Sequence, residues 1–249
     1  MKFYLILIII WELIYKIFFE KLKMIPDKVL ASPEKVVNAF NKLNKDSYVL
    51  KSIIFSFERL ILGFSIALVL GILIGFLITK NDFLRDNVRS LVLSLQTLPN
   101  IAWVPVSILW FGYTNMSILF TIVIGSVFAM ILATEEGISN INPLYLKAAK
   151  TMGAKGKKLY MNVIFPGALP TIVMGMKQAW SFAWRALISG EMLANRRGLG
   201  YILTSGKKHE DINEITLVLL LIILIGVIFE RNIFERFASN LRQKWGLEK

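Results

Sequence analysis

Cysteine is absent from the 249 residues, and His209 is the only histidine. Without a thiol there is no disulfide, no iron–sulfur cluster and no thiolate nucleophile. A single histidine in a polar loop reads as a surface residue and not as a zinc ligand. Acidic residues are also scarce, 17 Asp and Glu against 29 Lys and Arg, a net charge of +12. No paired carboxylates or Ser–His–Asp arrangement stands out. A phosphate-binding loop of the form G-x-x-x-x-G-K-[ST] is missing too. The nearest stretch, "GYILTSGK" at Gly200–Lys207, has five residues between its glycines, and Lys208 stands where a hydroxyl is required. The chain thus reads as a non-enzyme, with no cofactor or metal of its own.

Apolar residues, by contrast, are abundant. They make up 55% of the chain, and the mean hydropathy is +0.60. Apolar runs near the roughly 20 residues needed to cross a bilayer recur along the sequence. This makes the chain an all-α integral membrane protein. In that setting the basic excess reads as topology and attraction to anionic headgroups, not nucleic-acid binding.

Six spans are expected, near residues 3–19, 52–79, 91–112, 116–133, 170–193 and 212–229. No small-residue cleavage site follows the first run, so it is read as retained. Glu12 and Lys16 are spaced to pair on one helix face. In "ASPEKVVNAF", Ser32 before Pro33 predicts the start of a short amphipathic helix. Gly63, Ala67, Gly71, Gly75 and Thr79 put a small residue at every fourth position, a face that lets another helix approach closely. Pro99 and Pro105, with Gln96, Asn100 and Ser107, predict a kinked third span facing protein or water. An even number of spans puts both termini on one side. Lys and Arg outside the spans number 14 on the side of residues 135–165 and 11 on the other, a slight bias for a cytoplasmic 135–165 segment. The expected organisation is an N-terminal span and external polar loop over 1–50, a transport domain over 51–236, and a basic cytoplasmic tail over 237–249.

Between the fourth and fifth spans lies "KAAKTMGAKGKKLYMNVIFPGALP". Asn142 and Pro143 predict a helix start and Gly153 its end. Leu144, Ala148 and Met152 fall on one face, with Ala149 beside them. A second short helix is expected after Gly156, and Pro166 and Pro170 should set the start of the fifth span. The segment is either a compact knob outside the bilayer or a basic loop lying on anionic lipid.

Arg185 lies inside the fifth span. A charge there is costly in lipid and points to a substrate path or to a structural ion pair with Glu191 or Glu58. Gln96 and Asn100 either line that path or join helices. Trp103, Trp180 and Trp184 either line it or pack. Arg59 and Lys177, nearer the span ends, are expected to snorkel to the interface.

Lys147-Ala148-Ala149, Gly153 and Val163-Ile164-Phe165-Pro166 resemble the E-A-A-x-x-x-G, nine residues, I-x-L-P signature of ABC-transporter permeases. Lys147 replaces the acid, Val163 the Ile and Phe165 the Leu. "SPEKVVNAF", "LPNIAWVPVSILWFG" and "WRALISGEMLANRRGLGYIL" look like the sulfonate, taurine and nitrate branch of importer permeases, a resemblance running from about Ala31 onward. It implies a type I importer fold in a prokaryotic cell membrane, with cytoplasmic termini. It implies that Lys147, Ala148, Ala149, Gly153 and Pro166 belong to a coupling helix docked on a cytoplasmic ATPase dimer, which holds ATP and Mg. It further implies a homodimer, an external substrate-binding protein, and a path for small anions past Gln96, Asn100, Trp184 and Arg185. The competing readings are a carrier driven by an ion gradient, which the lack of an inverted repeat and the small number of intramembrane carboxylates disfavour, and a membrane scaffold that only recruits a partner, against which Arg185 and the kinked third span argue.

Overall fold

The computed structural model describes residues 2–17 and 29–235. The tail expected over 237–249 and part of the loop over 20–51 lie outside the described residues. The described chain forms helices α1 (Lys2–Tyr15), α2 (Pro33–Leu43), α3 (Tyr48–Ile78), α4 (Asp82–Gln96), α5 (Trp103–Phe111), α6 (Asn115–Ser139), α7 (Pro143–Thr151), α8 (Gly156–Leu159), α9 (Phe165–Leu193), α10 (Leu199–Lys208) and α11 (Ile212–Phe229).

Four helical stretches are long and apolar enough to cross a membrane: Tyr48–Ile78, Asn115–Ser139, Gly156–Leu193 and Ile212–Asn232. A fifth arises if α4 and the stretch Asn100–Phe111 are one broken span. The first expected span, over 3–19, falls on α1, which at 14 residues is not among the helices long enough to cross, and residues 18–28 lie outside the described residues. Glu12 and Lys16 pair at 3.1 Å, as their spacing predicts.

The third span corrects the sequence reading. A kinked helix over 91–112 is expected; the chain instead turns by 89° between α4 and α5. Pro99 has no N–H to continue α4, and it disfavours helical geometry at Leu98 before it. Pro105 falls in the first turn of α5, where a missing N–H costs little. The helix before the break also starts early, at Asp82, because Asn81 Oδ1 accepts the Phe83 N–H at 2.9 Å and caps it.

The core is α6, flanked by α3 on one side and α9 on the other, and these are the two most extensive helix contacts. The small-residue face of α3 makes its contact as expected. A Cβ added at Gly63 would sit 2.7 Å from Ile122 Cγ2, and one at Gly75 would sit 2.6 Å from Thr134 Cβ. Ala67 and Gly71 are buried in the same row. The α6–α9 contact follows the same rule, with Gly125 against Ala186 and Gly137 against the Ala168 carbonyl. Without a hydrophobic drive between helices in lipid, such close approach is the main source of cohesion. The buried hydroxyls of Thr121, Ser126 and Thr134 return to carbonyls one turn back, at 2.8, 2.6 and 2.8 Å, so α6 carries polar atoms without leaving them bare.

The N-cap expected at Ser32 forms, its Oγ accepting the Lys35 N–H at 3.2 Å. α2 then packs Val36 and Ala39 beside Leu217 of α11, and Trp11 Nε1 donates to the Ala31 carbonyl at 2.9 Å.

Candidate functional site

The segment between α6 and α9 builds as its sequence predicts. Asn142 Oδ1 accepts the Leu144 N–H at 2.9 Å and starts α7 at Pro143. At the other end the Gly153 N–H bonds to the Lys150 carbonyl and the Ala154 N–H to the Ala149 carbonyl, at 3.0 and 2.9 Å. Gly153 takes φ +83°, the left-handed conformation this double closure requires. No residue of α7 is buried. Leu144 is 66% exposed, Tyr145 65% and Met152 86%, so the helix presents apolar side chains around Ala148 outward. Lys147 is exposed on the same helix, and Ala149 is half-buried.

Pro170 does not mark the start of the fifth span. The helical run begins at Gly156 and passes Pro170 in its interior. Pro166 explains the irregular turn before it. It cannot donate to Asn162, and its ring crowds that carbonyl. The turn Tyr160–Ile164 widens to a π-helix in which the Phe165 N–H reaches the Tyr160 carbonyl. The 38-residue run is about 57 Å long at 1.5 Å per residue, well beyond the roughly 30 Å of a bilayer core. Its first turns pack beside α7.

The polar residues around the break after α4 form a second locus. Gln96, Asn100 and Trp103 line a shallow cleft with Gly125 and Phe128 of α6 and Phe182 of α9. Asn100 Nδ2 donates to the Phe182 carbonyl at 3.2 Å, closing the break against α9. Arg185 lies over the Phe182 ring, its guanidinium carbon 4.8 Å from the centroid. Its Nε donates to the Ser181 carbonyl at 3.1 Å. Arg185 forms no ion pair among the described residues, and neither Glu191 nor Glu58 reaches it. Gln178, Ser181 and Arg185 make an exposed polar stripe along α9 at helical spacing. Gln96, Asn100 and Arg185 thus gather around Phe182. Trp184 does not join them: it points to the other side of α9, against Phe57 and Gly226. Trp180 packs edge-on to Phe64.

Arg59 does not snorkel to an interface. It bonds Glu191 at 2.7 Å, and Glu191 is fully buried. Ser56 Oγ donates to the same carboxylate at 2.9 Å and accepts the Leu199 N–H at 2.9 Å, while the Gly200 N–H donates to Glu191 Oε2 at 3.0 Å. Arg59 also donates to the Arg197 carbonyl at 2.7 Å. This cluster joins α3, α9 and the start of α10. The sequence reading missed it, although Ser52, Ser56 and Arg59 extend the line of Gly63 and Ala67 toward the start of α3. A second pair, Arg89 with buried Glu135, links α4 to α6, and Ser139 Oγ donates to Glu135 at 2.9 Å. Among the described residues no group of His, Asp or Glu side chains gathers into a possible metal site.

Residues 48–241 match the family described as binding-protein-dependent transport system inner membrane component. The chain belongs to this family. The permease is 31% identical to a putative ABC transporter permease of Methanocaldococcus jannaschii, over 91% of its own length and 84% of the relative's. It is also 31% identical to a putative aliphatic sulfonates transport permease of Escherichia coli, with 80% and 76% covered. A nitrate import permease of Synechocystis is 27% identical, with 75% and 67% covered. In three dimensions the permease resembles the inward-facing MetNI methionine ABC transporter, with a TM-score of 0.61 at 18% identity, over 85% of this chain and 99% of that one. An amino acid ABC transporter aligns with a TM-score of 0.59 at 15% identity, with 82% and 97% covered. The permease thus has the type I importer fold, and it is the multi-pass membrane component of a binding-protein-dependent ABC importer.

Proposed function

We propose that the permease carries a small oxyanion, an aliphatic sulfonate, taurine or nitrate, inward by alternating access, working as a homodimer with a separate cytoplasmic ATPase dimer and an external binding protein. The observation that carries this reading is the stripe Gln178, Ser181 and Arg185 on the outer face of a membrane-crossing helix. Facing lipid, an arginine there costs several kcal/mol. Facing a second copy across a hydrated path, it offers a fork of donors suited to a planar or tetrahedral anion. Beyond its bonds within α9, its donors meet no protein acceptor among the described residues. The sulfonate and nitrate permeases among its relatives support the same substrate class.

The exposed apolar face of α7 is the docking knob for the ATPase, on which ATP and Mg are held, and Lys147, Ala148, Ala149, Gly153 and Pro166 form or anchor it. This reading puts α7 and both termini in the cytoplasm, in keeping with the excess of basic residues on that side. Residues 51–236 are then the transport domain.

The test is reconstitution in liposomes with the cognate ATPase and binding protein, measuring uptake of labelled ethanesulfonate, taurine or nitrate. ATP-dependent uptake of one of them supports the proposal. Uptake without the ATPase, driven by an imposed ion gradient, would replace it with a secondary carrier.

A further inference from the structure

Near the end of α3 that leads to α4, a groove of about 440 Å³ opens between α3, α6 and the helical run that begins at Gly156. Its walls are apolar, built from Ile72, Leu73, Phe76, Ile138, Met161 and Ile172 among others, and its polar surface is small. Two lysines stand at its rim. Lys80 follows α3 directly and holds its Nζ 5.0 Å above the Phe76 ring. Lys157 comes from the first turn after Gly156. Neither forms an ion pair among the described residues, and Lys155 and Lys158 flank Lys157 in sequence. The groove therefore has an apolar floor and a cationic mouth where the apolar run of α3 ends, so it sits at the edge of the hydrocarbon. Leu73 on its wall is 53% exposed, which leaves the groove open sideways to lipid.

We infer that this groove is a binding site for an anionic phospholipid, with an acyl chain along the apolar walls and the headgroup phosphate between Lys80 and Lys157. The volume lies within the range of ligand pockets. Basic pockets between membrane helices at the cytoplasmic boundary are the usual seats of anionic headgroups. A soluble anion such as the transported substrate has no use for walls this apolar. The assignment of this leaflet as cytoplasmic rests on the orientation proposed above; the chemistry of the groove does not. Its back wall includes Tyr160 and Ile164 of the π-helical turn that joins α8 to α9. A lipid seated there braces the junction between the α7 segment and the span it leads to.

The test uses the full chain in nanodiscs of phosphatidylglycerol or of phosphatidylcholine, followed by native mass spectrometry of the protein released into mild detergent. One phosphatidylglycerol should stay bound per chain, and phosphatidylcholine should not. Lys80→Gln with Lys157→Gln should lower retention by about thirtyfold, the effect of two basic side chains at a headgroup. Leu73→Trp should fill the groove and lower retention with both lysines intact. Lys207→Gln with Lys208→Gln, at the opposite end of the bundle, should leave it unchanged. Equal retention of both lipids, or full retention in the lysine variant, overturns the site. Loss in the lysine variant with full retention in Leu73→Trp overturns the groove in favour of surface charge alone. Because the nanodisc presents the same lipid on both faces, the result does not depend on orientation or on transport.

Discussion

Arg59 of α3 and Glu191 of α9 meet at 2.7 Å across 132 positions of sequence, one side chain 11% exposed and the other fully buried. Their pairing holds two membrane helices at a fixed height relative to each other. Removing one member of a buried pair leaves the other uncompensated, at a cost of about 3–5 kcal/mol. Glu191→Ala should therefore lower the melting temperature of the purified permease in detergent by many degrees, followed by intrinsic fluorescence. Glu191→Gln keeps the side-chain volume but only one oxygen, so it can accept from Arg59 or from the Gly200 N–H and not from both, and its loss should fall between wild type and Glu191→Ala. Equal melting of wild type and Glu191→Ala would remove the pair from the stabilising interactions.

Gly75 and Gly167 offer a contrast within one bundle. At Gly75 a Cβ would stand 2.6 Å from Thr134 Cβ and 2.8 Å from the Ile131 carbonyl, so Gly75→Val should destabilise by about 1–3 kcal/mol or more through overpacking. At Gly167 nothing lies nearer than 3.5 Å, and Gly167→Ala should be tolerated. Yield and monodispersity on size exclusion separate the two. Similar behaviour of both variants would mean that the close approach of α3 to α6 is not limiting.

Gly153→Asp should leave the permease inserted and folded, because α7 buries no residue and nothing lies within 4 Å of the Gly153 Cβ position. The cost is local, about 1–2 kcal/mol for a side chain in left-handed geometry. If α7 docks on the ATPase as proposed, transport should nevertheless fall by at least about tenfold, since the turn that closes α7 would also set its angle there, and a misplacement of an ångström at a working site can cost a hundredfold. ATP hydrolysis and uptake measured on the same proteoliposomes check this; normal coupling in that variant would remove α7 from the coupling role.

Arg185→Ala should abolish most uptake with little change in melting, because Arg185 bonds only within α9 and its stacking on Phe182 contributes about 0.5–1 kcal/mol. Arg185→Lys should recover part of the uptake, as a point charge replaces a planar fork. A large fall in melting temperature with uptake intact would turn Arg185 into a structural residue.

Local signals made α7 legible in the sequence: Asn142 and Pro143 at its start, Gly153 at its end, each acting within a few residues. α11 was legible from its apolar run instead, and the structure adds a cap the sequence reading did not use, Asp211 Oδ1 accepting the Asn213 and Glu214 N–H groups. The small-residue row of α3 was legible because a fourfold spacing has one physical use in lipid. The 89° turn after Gln96 was not, because Pro99 fixes where a helix stops and says nothing of where the chain goes next. Pro166 and Pro170 misled in the opposite sense: one was absorbed by a π-turn and the other by the helix itself. The partner of Glu191 was hidden for a different reason. Several basic residues lie at plausible depth, and only the packing of α3 against α9 selects Arg59 and leaves Arg185 facing outward.

α10 has no capping side chain of its own; Gly198 precedes it, and its first N–H groups are taken by Ser56 and Glu191 from two other helices. A Cβ at Gly198 would collide with the Glu191 carboxylate itself. The start of this helix is thus written into residues far away: Ser56 of α3 holds the Leu199 N–H and Glu191 of α9 the Gly200 N–H. A movement that parts the two spans at this end takes Ser56 from Leu199, so amide exchange at Leu199 reports the opening of the bundle without a probe having to be attached.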